Sequence, residues 1–216
     1  MKIFYRDNDI IVCEKAYGIS SQRSNDTSML DLIFEATGCE AFPVHRLDIT
    51  TAGIMVYALN AKSASFLCTQ ISERRFEKTY LAVAHGAAPE HAEMVDFLYH
   101  DKILNKSFVK KDKRGGAKEA RLELERLSVR DGLSLARITL HTGRTHQIRV
   151  QLSSRGFPLY GDGKYGAKDN AKIALYSHSI GFLHPSSKKW MTFSSLPSAD
   201  VWDAFKDELA LLSKDN

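Results

Sequence analysis

Short apolar runs separated by turn-forming polar segments predict more strands than helices in this chain. Residues 3–5 and 10–13 are apolar runs on either side of an Asp-Asn-Asp segment, a spacing typical of a β-hairpin. Four later segments alternate, or are continuously apolar and β-branched. They predict further strands at residues 53–59, 78–84, 119–129 and 133–141.

Three segments have the helical period instead. Residues 28–37 carry Met29, Ile33 and Ala36 on one predicted face and are followed by Gly38, a residue that commonly ends helices. The other two are residues 60–74, with Asn60 as N-cap and an apolar stripe of Ala64, Leu67, Cys68 and Ile71, and residues 198–212, with Val201, Trp202, Phe205, Leu209 and Leu212 facing inward.

The order of these elements favours one fold class. Because the strands do not alternate regularly with helices, the pattern favours an α+β fold with a largely antiparallel sheet. The chain has no internal repeat and no linker rich in Pro, Gly or Ser. Residues 1–216 are therefore predicted to form a single domain.

The composition is that of an ordinary folded protein. Of the 216 residues, 44% are hydrophobic and 26% are charged, which excludes wholesale disorder. No segment reaches the about 18 uninterrupted apolar residues of a membrane helix, and the charged N-terminus does not resemble a signal peptide. The cysteines form no CxxC pair, which predicts a reducing cytoplasm and buried free thiols at Cys13, Cys39 and Cys68.

The formal net charge of +4 is small but unevenly distributed. Residues 198–216 hold two lysines against five acidic residues, which predicts an acidic C-terminal helix. Residues 101–118 hold seven Lys and Arg residues against two Asp residues. Charge alone leaves two interpretations of this basic stretch open: a solvated surface loop, or an arm that neutralises phosphates.

Two segments combine residue types that carry chemistry. The segment VHRLDITTAG places His45, Arg46 and Asp48 immediately before a predicted strand, where catalytic residues are often held rigidly. Taken alone, this segment is better explained by a salt-bridged turn. In LHTGRTHQIRVQ, cations and amides gather at the start of a helix-like run, an arrangement suited to anions or to the edge of a base.

Taken together, these segments resemble the RluA family of pseudouridine synthases, which isomerise specific uridines in RNA. The matching motifs are His45-Arg46-Leu47-Asp48 with Thr51-Ala52-Gly53, Lys78-Thr79-Tyr80, the run from Gly143 to Arg149, and Tyr160-Gly161-Asp162 with Tyr165-Gly166. They follow the family's order over nearly the whole chain. Two departures are Lys15-Ala16-Tyr17-Gly18, where the family commonly has Lys-Pro-x-Gly, and Leu175-Tyr176-Ser177, where it favours Leu-His-Ala.

The resemblance implies a pseudouridine synthase fold, a mixed and mostly antiparallel sheet flanked by helices, with a central catalytic cleft. It implies that Asp48 is the catalytic aspartate and that Arg149 pairs with it. Tyr80 would pack on the target base, and Arg46 would fill the gap left by a flipped uridine. Whether Asp48 attacks the sugar or the base stays open at this stage.

The resemblance also implies the rest of the site. No metal, nucleotide or redox cofactor is expected, and the partner is a stem-loop of ribosomal or transfer RNA bound by a monomer without an accessory RNA-binding module. The residues expected to bind RNA or the base are Arg46, His45, Arg144, His146, Gln147, Lys78, Leu175, Lys110, Lys111, Lys113 and Arg114.

Two other functions fit parts of the sequence. A non-catalytic RNA-binding or RNA-folding protein on the same scaffold would keep the basic stretch but would not need Asp48. A hydrolase would use Asp48 with His45 or His146 as base, but no nucleophile elbow or paired-carboxylate arrangement supports that chemistry.

Overall fold

A computed structural model describes residues 1–213. Eleven strands and four helices follow one another along the chain. In order, they are β1 Ile3–Arg6, β2 Ile10–Lys15, α1 Met29–Thr37, β3 Phe42–Pro43, β4 Ala52–Ala58, α2 Ala61–Ser72, β5 Glu77–His85, β6 His91–Asp101, β7 Lys106–Lys110, β8 Lys118–Arg130, β9 Leu133–Leu140, α3 Gln147–Ser153, β10 Leu175–Leu183, β11 Trp190–Ser194 and α4 Lys206–Leu212. The order confirms the predicted α+β class.

The chain divides into two compact units, each built from two pieces of sequence. The first unit comprises Met1–Lys78 and Tyr176–Pro197, and the second comprises Thr79–Leu175 and the segment from Ser198. No helix among residues 1–213 is both long and apolar enough to cross a membrane. Whether residues 1–216 act as one domain stays a prediction.

The strands of the first unit follow the order β1-β2-β4-β10, with β3 added to β4 and β11 to β10. The predicted hairpin of β1 and β2 is confirmed, and every pair is antiparallel except β4 with β10. Apolar side chains from β2, β4, β10 and α2 form the core of this unit. Its fully buried members are Ile10, Val12, Ile54, Val56, Ala58, Leu67, Ile180 and Phe182.

The strands of the second unit follow the order β5-β9-β8-β6-β7 and are antiparallel throughout. One face of this sheet packs against α3 through Leu98 and Ala120 of the strands and Val150 of the helix. Strand β7 ends the order as an edge strand. The predicted strands at residues 78–84, 119–129 and 133–141 are confirmed as β5, β8 and β9.

The two predicted N-terminal helices are confirmed, with errors in which residues they bury. Ser28 caps α1 in a capping box with Asp31, and Gly38 ends it in the left-handed conformation; Asn60 caps α2 by accepting the N–H of Ser63. Ala36 is exposed rather than buried, because this nine-residue helix contacts the core only through its first turns, at Met29 and Ile33. Likewise α2 buries Ser63 and Gln70 in its core-facing stripe.

The expected burial of all three cysteines is wrong. Cys13 is buried, Cys39 is partly exposed and Cys68 is exposed. The apolar stripe predicted for α2 included Cys68 because it lies four residues after Ala64, but the helix turns that position towards solvent. The amide of Gln70 points to the core instead, where it hydrogen-bonds the main chain of Leu183 in both directions.

The predicted C-terminal helix is shorter than residues 198–212. Ala199 and Asp200 have positive φ angles, so the chain enters a 3₁₀ turn at Asp200–Phe205 and becomes α-helical only from Lys206. Trp202, Phe205, Leu209 and Leu212 are buried as expected. Residues 214–216, which belong to the predicted acidic helix, lie outside the described part of the chain.

Five strands were not predicted, two of them because polar residues interrupt their patterns. In β6, the carboxylate of Asp96 lies opposite buried Ala120 and accepts hydrogen bonds from Gln151 and Arg155. In β10, Ser177, His178 and Ser179 break the apolar run, and the Ser177 hydroxyl donates to the carbonyl of Ile54. The other three are the short strands β3, β7 and β11.

Gly53 marks the closest approach of main chains in the first unit. It lies in β4 between Lys15 of β2 and Ser177 of β10. Its φ is +121°, and a methyl group there would lie 2.6 Å from the Ser177 nitrogen. Only glycine allows both the conformation and the contact.

We expect Gly53→Ala to lower the free energy of unfolding by about 3 kcal/mol or more, because the new methyl group overlaps main-chain atoms that have no alternative position. Gly38→Ala is the matched control: Gly38 also has positive φ (+69°), but nothing lies within 4 Å of the added carbon, so its cost is about 1 kcal/mol. Urea denaturation measures both. Equal losses for the two variants would contradict the packing argument.

Candidate active site

In the first unit, Asp48 lies in the turn that leads into β4. The N–H of Thr51 donates to the Asp48 carbonyl at 2.9 Å. Just before it, the Ser21 hydroxyl donates to the carbonyl of buried Leu47 at 3.0 Å and accepts the Leu47 N–H at 3.3 Å. The main chain around Asp48 is therefore fixed on both sides, and the carboxylate itself is half-buried.

A buried ammonium group holds the other side of this turn. Lys15, at the end of β2, has 0% exposure, and its Nζ donates to the carbonyls of Ala16, Ile19 and Ile49 at 3.0, 2.7 and 3.2 Å. Burial lowers the Lys15 pKa to about 8, and the nearby negative charge of Asp48 opposes that shift. Lys15 was not among the predicted site residues, because nothing in the sequence shows that a charged side chain at a strand end points inward.

His45 has a structural hydrogen bond in the same unit. Its Nε2 accepts the N–H of Val56 at 3.2 Å, and its ring packs 5.4 Å from that of Phe76. Burial, followed by the positive charge of Lys78, lowers the His45 pKa to about 3. The neutral imidazole accepts a hydrogen bond from the main chain and so stabilises β4. Arg46, the next residue, is exposed.

In the second unit, Arg149 lies in the first turn of α3 and is 5% exposed. Its Nε and Nη2 donate to the two carboxylate oxygens of fully buried Asp162, each at 2.7 Å. The guanidinium also lies 5.1 Å from the ring centroid of Tyr165. This bidentate geometry satisfies two donors and both acceptor oxygens without water. The predicted pairing of Arg149 with Asp48 stays a prediction.

His146 joins the same buried network. The Ser107 N–H donates to the Tyr165 hydroxyl at 2.7 Å, and the same hydroxyl lies within hydrogen-bond distance of Nδ1 of His146, 3.0 Å away. Ser107 in turn donates from its own hydroxyl to the Thr145 carbonyl at 2.6 Å. The network therefore connects β7 with the loop before α3. His146 adopts a positive φ of 56° there, a conformation held by these contacts.

Gln147 and Arg144, expected to bind RNA or the base, are engaged internally. The Gln147 Oε1 accepts from the Thr142 hydroxyl at 2.8 Å and from the Arg144 N–H at 3.0 Å, while its Nε2 donates to the Arg121 carbonyl at 3.1 Å. The Arg144 Nε donates to the Glu119 carbonyl at 2.8 Å. Gln147 therefore fixes the loop before α3 rather than presenting its amide to solvent.

The remaining predicted residues lie on strands or on the surface. Tyr80 is buried on β5 opposite Ile138, and Leu175 is buried at the start of β10. Burial lowers the pKa of Lys78.

The basic stretch 101–118 is not a simple solvated loop. It contains edge strand β7, flanked by a turn at residues 102–105 and a 3₁₀ turn at Arg114–Gly116. Lys110, Lys111 and Lys113 are exposed. Arg114 is exposed too, but its guanidinium binds Asp112, with Nε donating to Oδ2 at 2.9 Å. The lysines rather than Arg114 are therefore available to phosphates.

Among residues 1–213, one group of side chains has the spacing of a metal site: Asp7, Asp9 and His184 of the first unit, whose ligand atoms lie within 4.8 Å of one another. Its oxygens already accept hydrogen bonds. Nε2 of His184 lies 2.7 Å from Asp7, and Asp9 accepts from Ser63 at 2.7 Å and from Ser186. These bonds account for the cluster without an ion.

Comparison with known proteins agrees with this arrangement of motifs. The profile of the RNA pseudouridylate synthase family matches residues 9–154. The chain is 28% identical to tRNA pseudouridine synthase C of Haemophilus influenzae, covering 90% of this chain and 92% of that protein. It is 30% identical to ribosomal large subunit pseudouridine synthase D of Borreliella burgdorferi, covering 99% of this chain and 74% of that protein.

The fold agrees as well. Human RNA pseudouridylate synthase domain containing 1 superposes on this structure with a TM-score of 0.78 at 22% identity, covering 94% of this chain and 85% of that one. A fold match at this identity supports architecture, while the profile match spans Asp48, Tyr80 and Arg149. The chain belongs to the RluA family of RNA pseudouridine synthases, isomerases that convert uridine in RNA to pseudouridine.

Proposed function

We propose that this pseudouridine synthase uses the Asp48 carboxylate as its nucleophile. The observation that carries the proposal is the fixed turn around Asp48, in which Ser21 binds Leu47 and Lys15 binds Ile49. A nucleophile that must form and then release a bond to its substrate benefits from a rigid main chain and a half-buried carboxylate. The Lys15 charge attracts the ionised carboxylate at the same time.

The reaction is an isomerisation with no net gain or loss of atoms. The bond from ribose to the base nitrogen breaks, the base rotates, and a bond from ribose to carbon forms. That carbon loses a proton and the freed nitrogen gains one. Asp48 would hold the reacting fragment during rotation, by attack on either the sugar or the base. Tyr80 would pack on the base and Arg149 would position the carboxylate, as the family resemblance implies. A metal or redox cofactor has no step to perform in this scheme.

We further propose that the uridine is flipped out of a stem-loop of ribosomal or transfer RNA, since a stacked base hides the atoms that react. Arg46, exposed and two residues before Asp48, would occupy the vacated position. The relatives named for transfer RNA and for the large ribosomal subunit support these two substrate classes. The protein would act as a monomer in the cytoplasm.

Neither histidine supports the hydrolase alternative. A general base needs a pKa near the working pH, whereas the His45 pKa is lowered to about 3 and its Nε2 is bonded to Val56. Nδ1 of His146 faces the Tyr165 hydroxyl within a buried network. Both side chains support main-chain structure.

We expect Asp48→Asn to lower the rate of pseudouridine formation by about 10³-fold or more, because an amide does not act as a nucleophile. The turn should survive, since Thr51 binds the main-chain carbonyl of residue 48 rather than its side chain, and RNA affinity should stay within a few fold. Asp26→Asn, the same chemical change on an exposed loop, is the control. Undiminished turnover by Asp48→Asn on a confirmed RNA would exclude Asp48 as nucleophile, and a wild-type protein that only binds RNA would favour the non-catalytic alternative.

Arg149 should be tested together with Asp162. Arg149→Ala leaves the Asp162 carboxylate buried and unpaired, so we expect a loss of about 3–5 kcal/mol in the free energy of unfolding. The double variant Arg149→Met, Asp162→Asn removes both buried charges and should recover much of that stability. The double variant should nevertheless form no pseudouridine in the isomerisation assay. A stable double variant with wild-type turnover would show that Arg149 serves folding alone.

His45 should make stability depend on pH. Its pKa is about 3 in the folded state and about 6.5 when unfolded, so the unfolded chain binds the additional proton between those values. Stability should therefore fall as pH falls through this window, by up to about 1.4 kcal/mol per pH unit from this group. His45→Gln keeps an acceptor for the Val56 N–H but cannot titrate. Urea denaturation should therefore show that its free energy of unfolding falls less between pH 7 and pH 4.5 than that of wild type. The control His91→Gln, at an exposed histidine, should lose as much as wild type. Identical losses in all three proteins would mean that His45 is not buried in neutral form.

A further inference from the structure

The hairpin of β6 and β7 presents three aromatic rings on the face opposite α3. Leu98 of β6 packs against Val150 of α3, so the alternate residues Phe97 and Tyr99 point to the other face. Tyr99 lies directly opposite Phe108 of β7, and residues directly opposite share a face. All three rings are partly exposed. Phe97, Tyr99 and Phe108 therefore form one surface, the aromatic face of the hairpin.

Three lysines lie over these rings. The Nζ of Lys110 is 5.6 Å from the ring centroid of Tyr99, that of Lys113 is 5.8 Å from Phe97, and that of Lys106 is 5.9 Å from Phe108. Across the part of the chain that the structure describes, none of the three has a carboxylate within 4.0 Å. Each ammonium group lies over a ring face, and Lys106, which pairs opposite Asp101, also lies 5.2 Å from the ring centroid of Tyr165. Ring faces attract cations only weakly at an exposed site.

The tip of the hairpin adds apolar surface. Ile103 is 96% exposed and Leu104 is 60% exposed. The turn that carries them is ordered by Asp101, whose Oδ1 accepts the N–H groups of both residues at 2.9 and 3.0 Å. Lys102 precedes this tip and Lys106 follows it. This ordered turn therefore presents two adjacent large apolar side chains among lysines, a small apolar surface that a partner can cover.

Edge-strand lysines also prevent pairing between sheets of different molecules. That role needs the charges but not aromatic rings beneath them. A ligand that explains both features must offer flat π-surfaces together with negative charges at short intervals, which is the chemistry of a nucleotide chain. In a duplex only the phosphates are accessible, whereas unpaired nucleotides also expose base faces that stack on aromatic side chains.

We propose that the aromatic face of the β6–β7 hairpin binds unpaired nucleotides of the substrate RNA other than the uridine that reacts. Bases stack on Tyr99, Phe108 and Phe97, and the lysine ammonium groups move from the rings to the phosphates. The apolar tip at Ile103 contacts a further unstacked base. This inference rests on the proposed function only for the identity of the polymer as RNA.

The test measures the affinity of the full chain for a ten-nucleotide oligoadenylate and for a ten-base-pair RNA duplex, each over a range of salt concentrations. Neither probe contains a reactive uridine in a loop, so binding is read without turnover. Tyr99→Leu with Phe108→Leu keeps apolar side chains but removes the π-faces. We expect it to weaken oligoadenylate binding about tenfold or more while changing duplex binding little. Phe34→Leu, at a 56% exposed ring on α1, is the matched control.

A second pair of substitutions keeps the proposal testable if the leucine variant unfolds. Lys110→Gln with Lys113→Gln should weaken binding of the oligonucleotide and reduce its salt dependence by about 0.7 per lost phosphate contact. Lys168→Gln, at an exposed lysine of the same unit, should do neither. The proposal is overturned if the hairpin variants bind oligoadenylate as their controls do, or if the aromatic variant weakens the duplex equally. A protein that binds through this face yet forms no pseudouridine would refute the proposed function and leave the binding surface intact.

Discussion

The turn that carries Asp48 depends on a charge buried inside the first unit. Lys15 donates all three of its protons to main-chain carbonyls, one of which belongs to Ile49, the residue after Asp48. A buried ammonium group is stable only if each donor is satisfied, and the lowered pKa records the remaining cost of burial. The geometry also requires Gly53, since Lys15 of β2 and Ser177 of β10 approach it from both sides. Loop, strand and glycine therefore form one mutually dependent arrangement.

The second unit also buries charged groups, and it satisfies them with an ion pair instead of main-chain carbonyls. Arg149 and Asp162 neutralise each other inside the core, and Tyr165 links this pair to His146 and Ser107. Through Ser107 the network includes the edge strand β7, and so a buried polar cluster holds the base of the basic hairpin. Residues that the sequence suggested for contact with RNA, such as Gln147, serve this internal framework. The Gln147 amide accepts two hydrogen bonds and donates one inside the protein, so its residue type has a structural role whether or not it touches substrate.

The division between fixed and exposed groups suggests how one chemistry serves different RNAs. The groups around Asp48 and Arg149 are buried and hydrogen-bonded, so they leave little freedom for variation. The lysines and rings of the β6–β7 hairpin are exposed and lie on an edge strand, where substitution costs little stability. If the hairpin binds RNA as proposed, substitutions there alter specificity for a particular RNA at less cost in stability than substitutions around the aspartate.

Local sequence determined the elements whose signals are local, and the linear motifs determined the family. The end of α1 at Gly38, the Asn60 cap of α2 and the alternation in β5, β8 and β9 each depend on neighbouring residues, and all were predicted. Tertiary structure decided which polar groups the core accepts. Asp96 interrupts β6 and Ser177 interrupts β10 because partners distant in sequence satisfy them, and Lys15 is buried because three carbonyls converge on it. No pattern of hydrophobicity encodes such partners, since burial of a polar group depends on hydrogen bonds that only the folded chain supplies.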